Sequence, residues 1–240
     1  MYRREAAVGG YKDGPVYAVN TWTGFYAGVN GGYGWNANGQ TLGFTSLSTG
    51  RTQDPFPGPE LEGGFGGGQI GYNFGSLGLF GPQFVFGIEA DFQGSGISDS
   101  YGTAAGFIPL RVESDLNWFG TVRGRIGFAF DRTLVYATGG FAYGDIETLI
   151  RFDGGGKAAY RADDTLTGYA VGGGIEHKLS PNWSLKAEYQ YIDLGQYSTG
   201  KGVTPGGGPT SFRVRDVDAD FHTVRAGLNY HFGSTYESLK

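Results

Sequence analysis

Cysteine is absent from this 240-residue chain, which excludes a disulfide framework, a thiolate metal site and a cysteine nucleophile. Long apolar runs are absent as well. No stretch reaches the ~18 apolar residues that a membrane-crossing helix needs. Charged residues make up only 17%, against ~25% in an ordinary soluble domain. Basic clusters are missing too: Lys and Arg are scattered, and the formal charge is -5. That argues against nucleic acid as a partner, since its binders carry a basic stripe. Residues 1–21 lack the apolar core of a secretory signal. They are polar, include Gly9, Gly10 and Pro15, and read as a flexible lead-in.

What the chain does hold is glycine, 47 residues of it, and 16% aromatics. There is no G-X-Y period, so collagen is excluded, and the aromatics are too abundant for a disordered chain. A mean hydropathy of -0.27 describes either a soluble protein or a barrel that is apolar outside and polar inside. The arrangement of the residues decides between them.

The organising pattern has a period of two. From Thr23, alternate positions read Thr23, Phe25, Ala27, Val29, Gly31, Tyr33, Trp35, while the positions between them are small or polar apart from Tyr26. A helix would mix the two sets and would be weakened by each glycine. The same alternation recurs in Gly66–Phe74, Phe84–Gln93, Ser114–Phe128, Thr133–Asp145, Thr165–His177, Trp183–Ile192 and Phe221–Phe232. In Ser114–Phe128 the apolar set is Leu116, Trp118, Val122, Ile126 and Phe128. Eight strands are therefore expected. Short links (75–83, 131–132, 178–182) alternate with long ones rich in glycine and proline (37–63, 94–113, 146–164, 193–220). This predicts an all-β, eight-stranded antiparallel up-and-down transmembrane barrel, with short periplasmic turns and four long extracellular loops. The expected divisions are 1–21 (a flexible periplasmic lead-in), 22–232 (barrel) and 233–240 (C-terminal tail).

The minority face tells which side is inside. Glu89, Asp91, Glu176 and Glu188 fall mid-strand in phase with the small residues, as do Arg123, Arg125, Lys186 and Arg225. An eight-stranded interior only just holds its own side chains, so small residues suit the lumen and the bulky apolar face suits lipid. Four acids and four bases can neutralise one another there, giving a lumen filled by charged and polar side chains. Trp35, Tyr72, Phe84, Trp118, Tyr143, Tyr169, Trp183, Tyr191 and Tyr230 lie near strand ends, where aromatic girdles meet the headgroups.

The opening run Asn20 to Trp35 (NTWTGFYAGVNGGYGW) resembles the first strand of the small outer-membrane β-barrel family of alphaproteobacteria, related to opacity-type and OmpA-like barrels and often labelled porins. Val135–Gly144, Leu185–Leu194 and Thr223–Phe232 fit the same family, so the likeness runs from about Trp22 to Phe232. It implies a Gram-negative outer-membrane location and contact with outer-membrane lipid and lipopolysaccharide. It also implies insertion by the barrel-assembly machinery, with Phe232 as the assembly signal. The residues 233–240 beyond Phe232 depart from the family pattern.

Other chemistry is weaker. Gly66-Gly-Gly-Gln-Ile-Gly71 matches G-x-G-x-x-G, but a dinucleotide site needs a helix after those glycines, and here the pattern is strand. His177, His222 and His231 have no ligand spacing; two read as interface residues and one as a lumen hydrogen-bonder. No G-x-S-x-G elbow occurs. Lipid A-modifying barrels would need Ser, His and an acid on the lipid face, and only His222, Thr223 and Asp220 come near, with Thr223 facing inward. No cofactor, metal or catalytic residue is expected. The sequence therefore predicts a non-enzymatic, monomeric envelope protein with a surface role. A porin-like channel and a loop-borne surface site for haemin or adhesion are the alternatives.

Overall fold

The computed structural model describes residues 22–37, 41–42, 44–46, 56–57, 61–75, 81, 83–105, 108–152, 159–197, 201–203, 211–214 and 217–232. The expected lead-in 1–21 and tail 233–240 lie outside them. In chain order the strands are β1 (Gly24–Asn36), β2 (Thr41–Leu42), β3 (Phe44–Ser46), β4 (Phe56–Pro57), β5 (Glu62–Gly75), β6 (Phe84–Ala105), β7 (Ile108–Phe130), β8 (Thr133–Phe152), β9 (Ala159–Lys178), β10 (Trp183–Tyr197), β11 (Lys201–Val203), β12 (Ser211–Val214) and β13 (Val217–His231).

Eight of these close an antiparallel barrel in the order β1-β13-β10-β9-β8-β7-β6-β5. Closure runs from Tyr26 opposite His231 to Asn36 opposite Phe221, and the Phe232 amide donates to Phe25 O at 2.8 Å. Closure matters because a sheet edge in hydrocarbon would leave amides and carbonyls unpaired. The Asp131–Arg132 turn and residues 179–182 join strands at the end where the chain enters and leaves the barrel, the periplasmic end of such folds. At the other end β3, β11 and β12 form a small sheet and β2 pairs with β4.

Two of the long connections are mostly strand. β6 continues to Ala105 and β7 starts at Ile108; β8 runs to Phe152 and β9 starts at Ala159. Alternation disappears there because a strand that has left the bilayer has no lipid side to keep apolar. Register also shifts between Gly94 and Ile97, between Leu116 and Trp118, and between Asp193 and Gln196. One of these shifts corrects the face assigned to Leu116. Leu116 pairs with Ile146 and Trp118 with Asp145, so Asn117 is left over and parity inverts. Trp118 faces out, whereas Leu116 is buried inside.

Candidate functional site

The strand pleat carries the charged set inward. Glu89, Asp91, Arg123, Arg125, Glu176, Lys186, Glu188 and Arg225 are all in the lumen, none more than 4% exposed. Meanwhile Phe25, Val29, Ile70, Ile88 and Phe92 on the opposite face are each more than half exposed. Room for the long ionic side chains comes from inward glycines. A Cβ on Gly140 would lie 2.2 Å from Val122 O, and one on Gly71 would lie 2.3 Å from Tyr26 Cζ.

The charges form two linked layers. In the central one, Arg123 reaches Glu89 at 2.7 Å, Asp91 at 2.9 Å and Glu188 at 3.0 Å. Arg225 bonds Asp91 at 3.1 Å and also Glu188, and Lys186 holds Glu89 at 2.8 Å. Thr121 donates to Asp91 at 2.7 Å, and Gln190 donates to Glu188. Nearer the periplasm, Arg125 pairs with Glu176 at 2.8 Å. Ser184 Oγ and Asn229 Nδ2 donate to Glu176, and His231 Nε2 lies 3.2 Å from it. Two tyrosines join the layers. Tyr26 Oη accepts from Arg125 and donates to Glu89, both at 2.8 Å. Tyr136 donates to Glu188 at 2.6 Å while its ring lies 4.3 Å from the Arg125 guanidinium carbon. Four acids face four bases, so the formal charge of the set is zero. Burying such ions costs several kcal/mol each unless every one is paired and hydrogen-bonded; each of the eight has an ionic partner, and only Asp91 Oδ1 and Arg125 Nε within the set are left without a hydrogen bond.

Above and below the ionic layers the lumen is mainly apolar, apart from Gln93 on one side and Asn73 and Lys178 on the other, which the alternation alone did not reveal. On the extracellular side Phe65, Ile97, Leu116, Phe119, Ile146, Ile192 and Phe221 belong to one buried cluster, with Phe119 edge-on to Phe65 and Phe221 at 5.2 and 5.4 Å. On the periplasmic side Trp22 packs with Val85, Leu134 and Tyr136. Trp22 precedes β1 and folds back into the barrel mouth, where Asn73 Nδ2 donates to its carbonyl at 2.9 Å. Residue parity could have placed Phe65, Phe119 and Phe221 inside. Trp22 lies before the alternating run and had no such marker.

The nine aromatics expected to form girdles fall into two levels. Tyr72, Phe84, Trp183 and Tyr230 ring the periplasmic end, extended by contacts to Phe25, Phe128 and each other at 4.6–5.2 Å. Trp35, Trp118, Tyr143, Tyr169 and Tyr191 ring the other end, Trp118 against Tyr143 at 6.1 Å and Tyr169 against Tyr191 at 6.2 Å. Phe25 and Trp35 mark the two levels on β1. Ten residues at ~3.3 Å each, tilted ~40°, separate those levels by ~25 Å, the height of an outer-membrane apolar band.

The remaining candidates are dispersed. Gly66–Gly71 lies within β5, and no helix among the described residues presents amides to a pyrophosphate there. His177 is exposed, His222 joins the outer girdle between Trp35 and Tyr191, and His231 is the lumen hydrogen-bonder. Ser184 and Glu176 both contact the same Nε2 of His231. That is not the relay geometry of a nucleophile, in which the two partners occupy opposite ring nitrogens. Thr223 points into the lumen, away from His222 on the lipid face.

Compared with known proteins, residues 13–232 match the family described as outer membrane protein beta-barrel domain. The chain belongs to that family. Among its relatives, the 31 kDa outer-membrane immunogenic protein of Brucella melitensis is 34% identical, the match covering 88% of this chain and 84% of the relative. The 22 kDa outer membrane protein of Rhizobium leguminosarum bv. viciae is 30% identical over 76% of this chain and 69% of its own length. The solved barrel OprG of Pseudomonas aeruginosa superimposes with a TM-score of 0.51 at 12% identity, covering 89% of this chain and 99% of that one. This last likeness is one of fold. Like its relatives, this family member resides in the outer membrane.

Proposed function

We propose that this outer-membrane barrel is a non-enzymatic, monomeric envelope protein whose lumen is a plug and whose work is done at its surfaces. The observation that carries this reading is the stacked lumen, a neutral ionic layer between two apolar layers. A solute passing through would have to separate buried ion pairs and displace Phe65, Phe119 and Phe221. Outward, the apolar band and its two girdles hold the molecule in an asymmetric bilayer against lipid and lipopolysaccharide. The long strands β6 to β9 then present chain to the outside. Several relatives carry immunogenicity in their names, and a surface-displayed role fits those strand extensions. Phe232 would serve the barrel-assembly machinery, since it stands outward-facing at the periplasmic end directly after the last strand. Planar-bilayer recording tests the reading: purified protein should give no steady single-channel steps, and regular large steps would overturn it.

A further inference from the structure

Inward glycines on this barrel are imposed by space, as the 2.2 Å approach at Gly140 illustrates. Gly124 and Gly139 differ. They are exposed, lie opposite one another on β7 and β8, and a Cβ on either would meet nothing nearer than 3.8 and 3.7 Å. Packing therefore does not require glycine at these two positions, and glycine weakens a strand interior. What the pair does is open the lipid-facing wall. A groove of about 460 Å³ lies there, lined also by Phe74, Phe86, Ile126 and Ala137, and it begins just above the periplasmic girdle.

Directly beneath, the same two strands end in the Asp131–Arg132 turn, with Arg132 exposed. Beside it the exposed His177 pairs with Thr133 across β8 and β9, and Thr133 Oγ1 lies 2.9 Å from its Nδ1, leaving Nε2 for another partner. Two basic side chains thus stand at the periplasmic rim under an apolar groove, with Asp131 the acid next to them. Eight residues separate Gly124 from Arg132, ~26 Å along the strand and ~20 Å across the bilayer after tilt. This is about the depth from a phosphate to the midplane of a ~30 Å hydrocarbon core.

We propose that this sector holds one glycerophospholipid of the periplasmic leaflet, an acyl chain in the Gly124–Gly139 groove and its phosphate on Arg132 and His177. One lipid tail replacing another gains no hydrophobic energy. Retention comes instead from a concave wall that touches the chain on more than one side, and from charge-assisted hydrogen bonds at the rim. The groove starts at the periplasmic girdle, so its occupant belongs to the phospholipid leaflet and not to lipopolysaccharide.

Native mass spectrometry of full-length protein, extracted from outer membranes in mild detergent, tests this. Wild type should retain one phospholipid. Arg132→Gln should retain about tenfold less, and Gly124→Leu with Gly139→Leu, which fills the groove, should retain none. Gly66→Leu is the control, an outward glycine on β5 whose Cβ would lie 3.6 Å from Asn30 O, and it should behave as wild type. Heat-modifiable gel migration reports folding of each variant; should the leucine pair not fold, wild type and Arg132→Gln still decide. Wild type with no retained lipid, retention of a lipid A-type molecule in its place, or unchanged retention in Arg132→Gln overturns the proposal.

Discussion

Arg123 shows how much one side chain carries in this lumen. It contacts three carboxylates from two strands, and Thr121 and Thr138 accept from its Nε and Nη1. Its removal leaves buried negative charge, so Arg123→Met should cost about 3–5 kcal/mol in urea unfolding from lipid vesicles. Asp91 is the partner of choice for a cycle, because Arg225 keeps Glu188 and Lys186 keeps Glu89 when both are gone. The Arg123→Met, Asp91→Leu double variant should lose less than the sum of the singles, and strict additivity would argue that the two ions are not coupled. Glycine gives a sharper contrast between neighbours. Gly140→Ala drives a Cβ against Val122 O, and should cost about 1–3 kcal/mol as overpacking does. Gly139→Ala, one residue away on the opposite face, should be neutral or gain about 0.4–1 kcal/mol. Midpoints of the two in parallel urea titrations check this.

At the scale of elements, legibility followed solvent contrast. Within the bilayer one strand face meets lipid and the other meets the lumen, and over Phe84–Gln93 the residues report this at every position but Val85, which is apolar and buried. Beyond Gly94 β6 is still paired with β7 as far as Ala105 opposite Ile108, yet the sequence there no longer distinguishes two environments, so strand read as loop. The ionic set was legible because charge does not fit lipid, and charges in phase with glycine belong on the crowded side of a barrel wall. Its partners were not, because contacts such as Arg225–Asp91 cross the barrel from β13 to β6 and depend on register. Bulges hide from a period-two reading altogether, and Leu116 was misplaced for that reason. Deleting Asn117 would remove the unpaired residue and keep every face as it is, Trp118 outward, Leu116 and Ser114 inward and Asp115 outward. The shortened protein should keep its unfolding free energy to within about 1 kcal/mol and its digestion pattern, and new proteolysis near the extracellular end of β7 would count against the bulge. Trp22 is an element-end residue with a core residue's burden. Trp22→Ala should cost about 3–5 kcal/mol, as emptied aromatic sites do, measured by the same urea titration.

Taken whole, the molecule separates two electrostatic regimes. Exposed charges on the extracellular strand ends are screened by salt, whereas the lumen ions sit behind apolar layers and are not. Raising ionic strength from ~0.05 to ~1 M should therefore leave the unfolding midpoint nearly constant. A steep fall would mean that solvent ions reach the pairs. Closure has a further consequence. Tyr26 and His231 are neighbours across the seam although almost the whole chain lies between them, a separation that makes folding slow. During synthesis β1 waits with a bare edge until β13 exists. A chain stopped before that point is no smaller barrel but an open sheet with both margins unsatisfied, and a carrier must shield it. Completion is thus all or nothing, and the periplasm holds no stable half-made product.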